Sequence, residues 1–163
     1  MALPFYPAKG LPGMPTDGRF GTTGRVITRA AQQFLGFGKF VSKGANDKRA
    51  KLPTIAADVT TTGLGFVIRD QMQDPNIAVD GYAQFNAVPI LEDGPIYLTC
   101  ETVAAFGGQV YVRITTATDG TDLGNIRNDG DSGKAILLPR ARFEETITAA
   151  GLVAVNVKMG GAT

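Results

Sequence analysis

The chain has 163 residues, of which 44% are hydrophobic and 19% charged, and its formal net charge is +1. This composition is typical of one globular domain that buries a core. The sequence contains no histidine and a single cysteine, Cys100. It therefore excludes Ser-His and Cys-His nucleophile pairs, histidine metal ligands and an intrachain disulfide. An enzyme without histidine is possible but less expected, and a single cysteine fits a protein that folds in a reducing compartment.

We expect neither a membrane span nor a secretory signal. No apolar run approaches the roughly 20 residues that a helix needs to cross a bilayer. The first ten residues also lack a basic stretch followed by an apolar one.

Residues 1–26 do not have the pattern of a packed element, because four prolines and five glycines interrupt them. Apolar side chains such as Phe5 and Phe20 are nevertheless too frequent for a simple linker. The segment is either a disordered tail or an extended arm that becomes ordered on another protein surface, and its apolar residues favour the arm. We therefore divide the chain into an N-terminal arm, 1–26, and a domain, 27–163.

Charge is distributed unevenly between the two parts of the chain. Residues 1–51 hold nine Lys or Arg and two Asp, whereas residues 52–163 hold seven Lys or Arg and thirteen acids. A basic N-terminal region joined to an acidic body suggests docking of opposite charges, within an assembly or onto a partner.

The first part of the domain predicts short elements. Residues 29–33 could form a helical turn, residues 37–42 a strand and residues 43–47 a turn. A strand is predicted over 60–70, with Leu64, Phe66 and Ile68 on one face. The Gly63-x-Gly65 pair lacks the third glycine and the helix of a dinucleotide-binding motif, so it does not indicate a phosphate site.

The stretch 81–115 predicts three successive antiparallel strands. The first covers 82–91 and ends at an Asp93-Gly94 hairpin turn. The second alternates, with Ile96, Leu98 and Cys100 on one face, and the third alternates after Gly107-Gly108. Cys100 is therefore interpreted as a small buried residue and not as a nucleophile.

The remaining residues predict a long loop and three more strands. The loop, 117–134, is rich in Asp, but its spacing does not match a calcium-binding loop. Short strands are predicted on either side of Pro139, and a final strand over 152–159 points its valines inward. About eight short strands in all predict an all-β fold, a single antiparallel barrel or sandwich.

Two arginines near the end of the chain, Arg140 and Arg142, lie on one face of a predicted strand. They are either surface charges or a site for a carboxylate or phosphate across an interface. The acidic body and scattered aromatics do not favour nucleic-acid binding.

The order of several phrases over residues 28–160 resembles the structural cement, or head decoration, proteins of tailed bacteriophages. The phrases are QQFLGFGKFVSKG, KLPT, GLGFVIRDQMQ, AVPILEDGPIYLTCETVAAFGGQVYVRIT and DLGNIRNDGDSGKAILLPRARFEETITAAGLVAVNVKM. The first 26 residues lie outside this resemblance.

The resemblance implies a β-tulip-like or jelly-roll domain on the outer capsid surface that bridges neighbouring major capsid proteins and stabilises the head. It also implies a non-enzymatic role without catalytic residues, and a homodimer or homotrimer made in the host cytoplasm. We expect no cofactor, metal, nucleic acid, membrane or small-molecule substrate as partner. An alternative is a minor capsid, spike or tail accessory protein with a similar barrel.

For the arm, we expect apolar residues to act as anchors and basic residues to meet an acidic surface. The predicted partner contacts are Phe5, Tyr6, Lys9, Leu11, Met14, Arg19, Phe20, Arg25 and Arg29.

Overall fold

The computed structural model describes residues 10–16, 24–69, 80–116 and 122–159. Within these ranges the chain forms eleven strands, one α-helix, α1 (Ala56–Thr60), and a 3-10 turn, Asp131–Gly133. The strands are β1 (Arg25–Ala31), β2 (Leu35–Gly36), β3 (Phe40–Lys43), β4 (Arg49–Lys51), β5 (Gly63–Val67), β6 (Gly81–Tyr82), β7 (Ala87–Cys100), β8 (Gln109–Arg113), β9 (Ile126–Arg127), β10 (Ala135–Phe143) and β11 (Gly151–Lys158). The all-β prediction is confirmed. The α-helix found among these residues is too short to cross a membrane.

The long strand β7 organises the fold, because two rings of strands share it. Strands β1, β4, β3, β5 and β7 form the first ring, which the β1–β7 pairing closes. Strands β7, β11, β10, β8 and β9 form the second ring, which closes where Cys100 pairs with Ile126. The barrel architecture is thus built as two small rings, and most neighbouring strands in them are antiparallel.

The predicted hairpin at Asp93-Gly94 is wrong, since β7 runs straight through these residues. The reason is long-range pairing: Asp93 lies opposite both Arg25 of β1 and Lys158 of β11, which come from the two ends of the described chain. Gly94 has a φ of 129°, in the region that favours glycine. The glycine therefore allows the strand to pass from one ring to the other, and the predicted first strand is divided between β6 and β7.

Three neighbouring strands are buried on both faces and separate two hydrophobic clusters. In β3, Phe40 packs into the larger cluster and Val41 into the smaller one. Phe66 and Val67 divide in the same way in β5, and Leu91 and Ile90 do so in β7. The rings of Phe40 and Phe66 meet edge to face with centroids 5.3 Å apart. Burial on both faces explains why these segments are apolar runs and do not alternate.

The predicted alternation of the later strands is confirmed. Ile96, Leu98 and Cys100 are buried along β7, and Val110 and Val112 are buried in β8. The valines at positions 153, 155 and 157 of β11 are fully buried in the same cluster.

Several local predictions in the first part of the domain are wrong. The segment predicted to form a helical turn over 29–33 lies mainly in β1, where six residue pairs with β7 outweigh local propensity. The unpredicted helix α1 begins where the Asp58 carboxylate accepts hydrogen bonds from the N–H groups of Thr54 and Ile55. Leu64, Phe66 and Ile68 do not share one face as predicted, because Leu64 packs against the smaller cluster and the other two join the larger one. The β3–β5 ladder changes register next to Gly65, which has a φ of 141°.

The two strands predicted around Pro139 are one strand, β10. Its pairing with β8 is irregular between Leu138 and Arg142, so the proline, which has no N–H to donate, lies where the ladder is interrupted. This irregularity places Arg140 and Arg142 on the exposed side of the strand.

Candidate partner-binding surfaces

The described acids of the loop that precedes β10 are neutralised from within the domain. The guanidinium of Arg113 lies 2.7 Å from Glu101 Oε2 and 3.1 Å from Asp131 Oδ2. Arg127 pairs with Asp129 at 2.7 Å and with Asp131 at 3.0 Å. The hydrogen bond to Glu101 raises the pKa of Arg113, and the hydrogen bond from Arg127 lowers the pKa of Asp129. These carboxylates therefore stabilise the fold as partners of two arginines.

The sequence pattern did not reveal this cluster, because its members lie far apart in the chain. Only the topology brings Glu101, at the end of β7, beside Arg113 in β8. Across the described ranges, no group of three or more carboxylate, thiol or imidazole side chains is arranged to hold a metal ion.

The thiol of Cys100 is 1% exposed, and its sulfur lies 3.8 Å from Thr102 Oγ1. Burial raises the pKa of this thiol, which keeps it protonated and unreactive at neutral pH. The interpretation of Cys100 as a buried residue is confirmed.

Part of the predicted arm lies on its own domain. The Gly13 N–H donates to the Tyr97 carbonyl at 2.8 Å, and the Tyr97 N–H donates to the Met14 carbonyl at 2.8 Å. Pro15 also forms an isolated bridge with Ile96 of β7. Gly13 has a φ of 83°, and a Cβ at this position would lie 2.9 Å from three backbone atoms. Residues 10–16 therefore belong to the body in the structure.

Arg69 holds this segment from the other side. Its Nε donates to the Pro12 carbonyl at 3.3 Å, and its Nη2 lies 3.0 Å from the Asp80 carboxylate. The guanidinium carbon stacks 4.2 Å from the centre of the Phe37 ring. Three kinds of contact from one side chain thus join residue 12 to the loops that precede β3 and β6.

Four of the predicted partner contacts lie among the described residues. Leu11 is 53% exposed, whereas Met14 is half-buried and its sulfur accepts the Leu11 N–H at 3.2 Å. Arg25 is in β1 and pairs with Glu92 at 2.6 Å. Arg29 is also in β1, and its Nη1 donates to the Thr28 carbonyl. Arg25 and Arg29 are thus strand residues of the body, and their role in partner binding stays a prediction.

The other predicted contacts, Phe5, Tyr6, Lys9, Arg19 and Phe20, lie outside the described residues.

Exposed aromatic residues mark two parts of the surface. Phe85, in the turn between β6 and β7, is 65% exposed and has a φ of 71°, and the Arg49 guanidinium lies 5.8 Å from its ring centre. Phe106, in the turn before β8, is 74% exposed. A single exposed apolar side chain is common on protein surfaces, so Phe85 and Phe106 matter for binding only where neighbouring residues extend an apolar surface around them.

Phe106 borders a groove of about 630 Å³ between its turn and strands β10 and β11, which we call the β10–β11 groove. The apolar part of its lining is formed by Phe106, Pro139 and Phe143. The charged and polar part is formed by Arg140, Arg142, Glu144, Asn156 and Lys158. Arg140 and Arg142 thus share an exposed face, as the sequence predicted.

Comparison with known protein families shows which family this chain belongs to. The family model described as "Structural cement protein (E217 gp24/Pam3 gp6)" matches residues 3–158. The match includes most of residues 1–26, so the prediction that this segment lies outside the family resemblance is wrong. No curated protein matches the chain significantly.

Two of the solved structures that resemble the chain come from phage particles. One is from "The capsid of Myoviridae Phage XM1", with a TM-score of 0.69, 17% sequence identity and coverage of 97% of this chain and 98% of that chain. The other is the N base of head fiber gp8.5 in bacteriophage phi29, with a TM-score of 0.46, 10% identity and coverage of 85% and 98%. The first shares the fold over nearly the full length of both chains.

Proposed function

The chain belongs to the structural cement family of phage proteins, and from that premise we propose that it decorates the outer surface of the phage head and bridges neighbouring major capsid proteins. Family membership makes it a structural protein of the virion that stabilises the capsid. The observation that carries the proposal is the family match, which spans residues 3–158.

The architecture suits a protein that transmits load between neighbours. Strand β7 belongs to both rings, and its side chains pack into both hydrophobic clusters. Displacing one ring relative to the other would disturb close-packed side chains in both clusters, so the body is expected to be stiff. Many copies on a closed shell would also convert weak individual contacts into strong retention.

The described side chains favour protein–protein binding as the function of this chain. The acids that the structure describes in the loop before β10 are paired with arginines, and the thiol of Cys100 is buried. Exposed apolar residues lie in several parts of the body and are available for contacts with other proteins. They are Leu11, Val26, Phe34, Ile55, Phe85, Val103 and Phe106. We propose the major capsid protein and other copies of this chain, as a homodimer or homotrimer, for these contacts.

The test is decoration of phage heads that lack this protein. Purified chain, made in the cytoplasm of a bacterial host, is mixed with expanded heads, which are then sedimented and imaged by electron cryomicroscopy. We expect stoichiometric density on the outer face between capsid subunits and a higher temperature of head rupture. Absence of co-sedimentation, or density only at the tail or inside the shell, would contradict the proposal.

The free oligomer is tested separately by size-exclusion chromatography with light scattering. A mass two or three times 17.1 kDa is expected. A monomer at high concentration would remove the oligomer from the proposal and leave head decoration in place.

A further inference from the structure

We infer that the β10–β11 groove binds an extended acidic segment of the major capsid protein that carries an apolar side chain. This inference rests on the proposed function and names the site and the chemistry of the partner.

The first argument is that cations in the groove lack compensation. Arg25, Arg69, Arg113 and Arg127 of the body each pair with a carboxylate. In contrast, neither Arg142 nor Lys158 forms an ion pair with any residue that the structure describes. The groove thus presents cations that an acidic partner would neutralise.

The acid that lines the same groove has another partner. Glu144 Oε1 accepts a hydrogen bond from Asn156 Nδ2 at 3.0 Å, which directs this carboxylate towards β11. The lining therefore keeps two cations, Arg142 and Lys158, that pair with no acid the structure describes. The charge of the groove is therefore complementary to a segment with two or more carboxylates.

The guanidinium of Arg142 is already held in place. Its Nη1 donates to the Pro139 carbonyl at 3.0 Å and to the Ala141 carbonyl at 2.7 Å, which fixes the long side chain against its own strand. A ligand that bonds to the other guanidinium nitrogens would therefore cost less side-chain freedom than binding to a mobile arginine.

The apolar part of the groove is the reason to expect an apolar side chain on the bound segment. Phe106 is 74% exposed and lies beside Pro139 and the edge of Phe143 at the groove wall. An aromatic residue that becomes buried beside charge-assisted hydrogen bonds is a common anchor of protein interfaces. A volume of about 630 Å³ accommodates a few side chains of an extended segment, but not a folded domain.

The experiment measures occupancy of heads that lack this protein as a function of protein concentration. The test variant is R142E/K158E, and the matched control is K48E/K134E, which makes the same charge change at exposed positions away from the groove. We expect at least a tenfold weaker apparent affinity for R142E/K158E and less than a twofold change for the control. The circular dichroism spectra and Tm of both double variants must match those of wild type. If R142E/K158E does not fold, R142Q/K158Q replaces it as the test variant.

The apolar contact is tested by F106A, whose net charge is unchanged. We expect a fivefold or greater loss of affinity, while the slope of affinity against salt concentration stays at the wild-type value. For R142Q/K158Q, in contrast, this slope should become shallower.

The outcomes separate the inference from the proposed function. If wild type does not decorate heads, both fail. If wild type decorates heads and the groove variants do so equally well, only the inference is wrong. It is also overturned if the variants keep head binding but lose binding of single-stranded DNA that the wild type shows, because the groove is then a nucleic-acid site.

Discussion

Arg113 Nε and Nη2 both lie 2.7 Å from Glu101 Oε2, so two strands of the second ring are joined by a nearly buried ion pair. The Arg113 side chain is 6% exposed and that of Glu101 is 16% exposed. Arg113 also lies 3.4 Å from Asp122 and 3.1 Å from Asp131. One cation therefore compensates three carboxylates.

Replacing Arg113 removes, at a nearly buried position, one of the two arginines that neutralise these acids. We expect R113M to lower the free energy of unfolding by about 3 kcal/mol, because breaking a buried pair from one side costs more than the pair contributes. Urea denaturation measures the change. K134M, at an exposed position near the same loop, should change stability by less than about 0.5 kcal/mol. The double variant R113M/E101L should recover part of the loss, and if it is less stable than R113M, the explanation is wrong.

Asp58 links stability to acidity at the start of α1. Burial acts to raise the pKa of this carboxyl, but hydrogen bonds from Thr54, Lys51 and Ile55 outweigh it and lower the pKa below its ordinary 3.8. A carboxyl whose pKa is lower in the folded state stabilises the fold above the unfolded pKa, and this contribution is lost as the pH falls through the folded value. The affected range therefore begins near pH 4 and extends below it.

The D58N variant should accordingly be less stable than wild type at pH 7 and lose less stability between pH 5 and pH 2. Thermal unfolding followed over this range by circular dichroism gives the comparison. D47N is the surface control. The hydrogen bond with Lys43 also lowers the pKa of Asp47, but this side chain is exposed, and screening by solvent keeps its contribution to stability small. Its pH profile should follow that of wild type closely, and equal profiles for D58N and wild type would rule out the role of Asp58.

Gly13 tests how firmly residues 10–16 are held to the body. Alanine at this position would have a positive φ and would also meet three backbone atoms at 2.9 Å. Gly107 has a similar φ of 74° but nothing within 4 Å of an added Cβ. G107A should therefore lower the free energy of unfolding by about 1 kcal/mol, which is the cost of the unfavourable φ alone. G13A should lower it clearly more.

Hydrogen exchange at the Tyr97 amide reports the local effect, because this N–H donates to the Met14 carbonyl. Exchange should accelerate in G13A and stay near the wild-type rate in G107A. Equal losses of stability in the two variants would mean that the close packing of Gly13 contributes little.

How much of the fold the sequence predicts depends on how local the determining contacts are. The valines of β11 alternate, and a buried face follows from their period of two. The Asp93-Gly94 pair is a good local turn signal, yet β1 and β11 supply pairing partners from distant parts of the chain and keep the strand continuous. Turn chemistry cannot reveal such partners.

The candidate surfaces show the same limit. Arg140 and Arg142 are recognisable as a pair on one face, because only one residue separates them in a strand. Phe106 and Lys158 join them only through the folding of the second ring. Family resemblance in the sequence identified the class of protein, but the groove needed the structure.

Deletion of residues 2–9 tests the part of the arm that precedes the docked segment. Residues 10–16 are hydrogen-bonded to β7 and Arg25 begins β1, so removal of all 26 residues would damage the body. The shorter deletion removes Phe5, Tyr6 and Lys9 but keeps these contacts. If the arm anchors the protein, the truncated chain should keep its Tm within about 2 °C, because the described core is untouched, and should lose most of its occupancy on heads.

Two controls make this deletion informative. The variant F5A/Y6A, at full length, should lose affinity in the same direction, since aromatic anchors contribute most to such contacts. K9A alone should weaken decoration mainly at low salt, because a single exposed charge is screened as ionic strength rises. Truncated protein that decorates heads at wild-type occupancy would show that the contact lies on the body, where the β10–β11 groove offers the alternative surface.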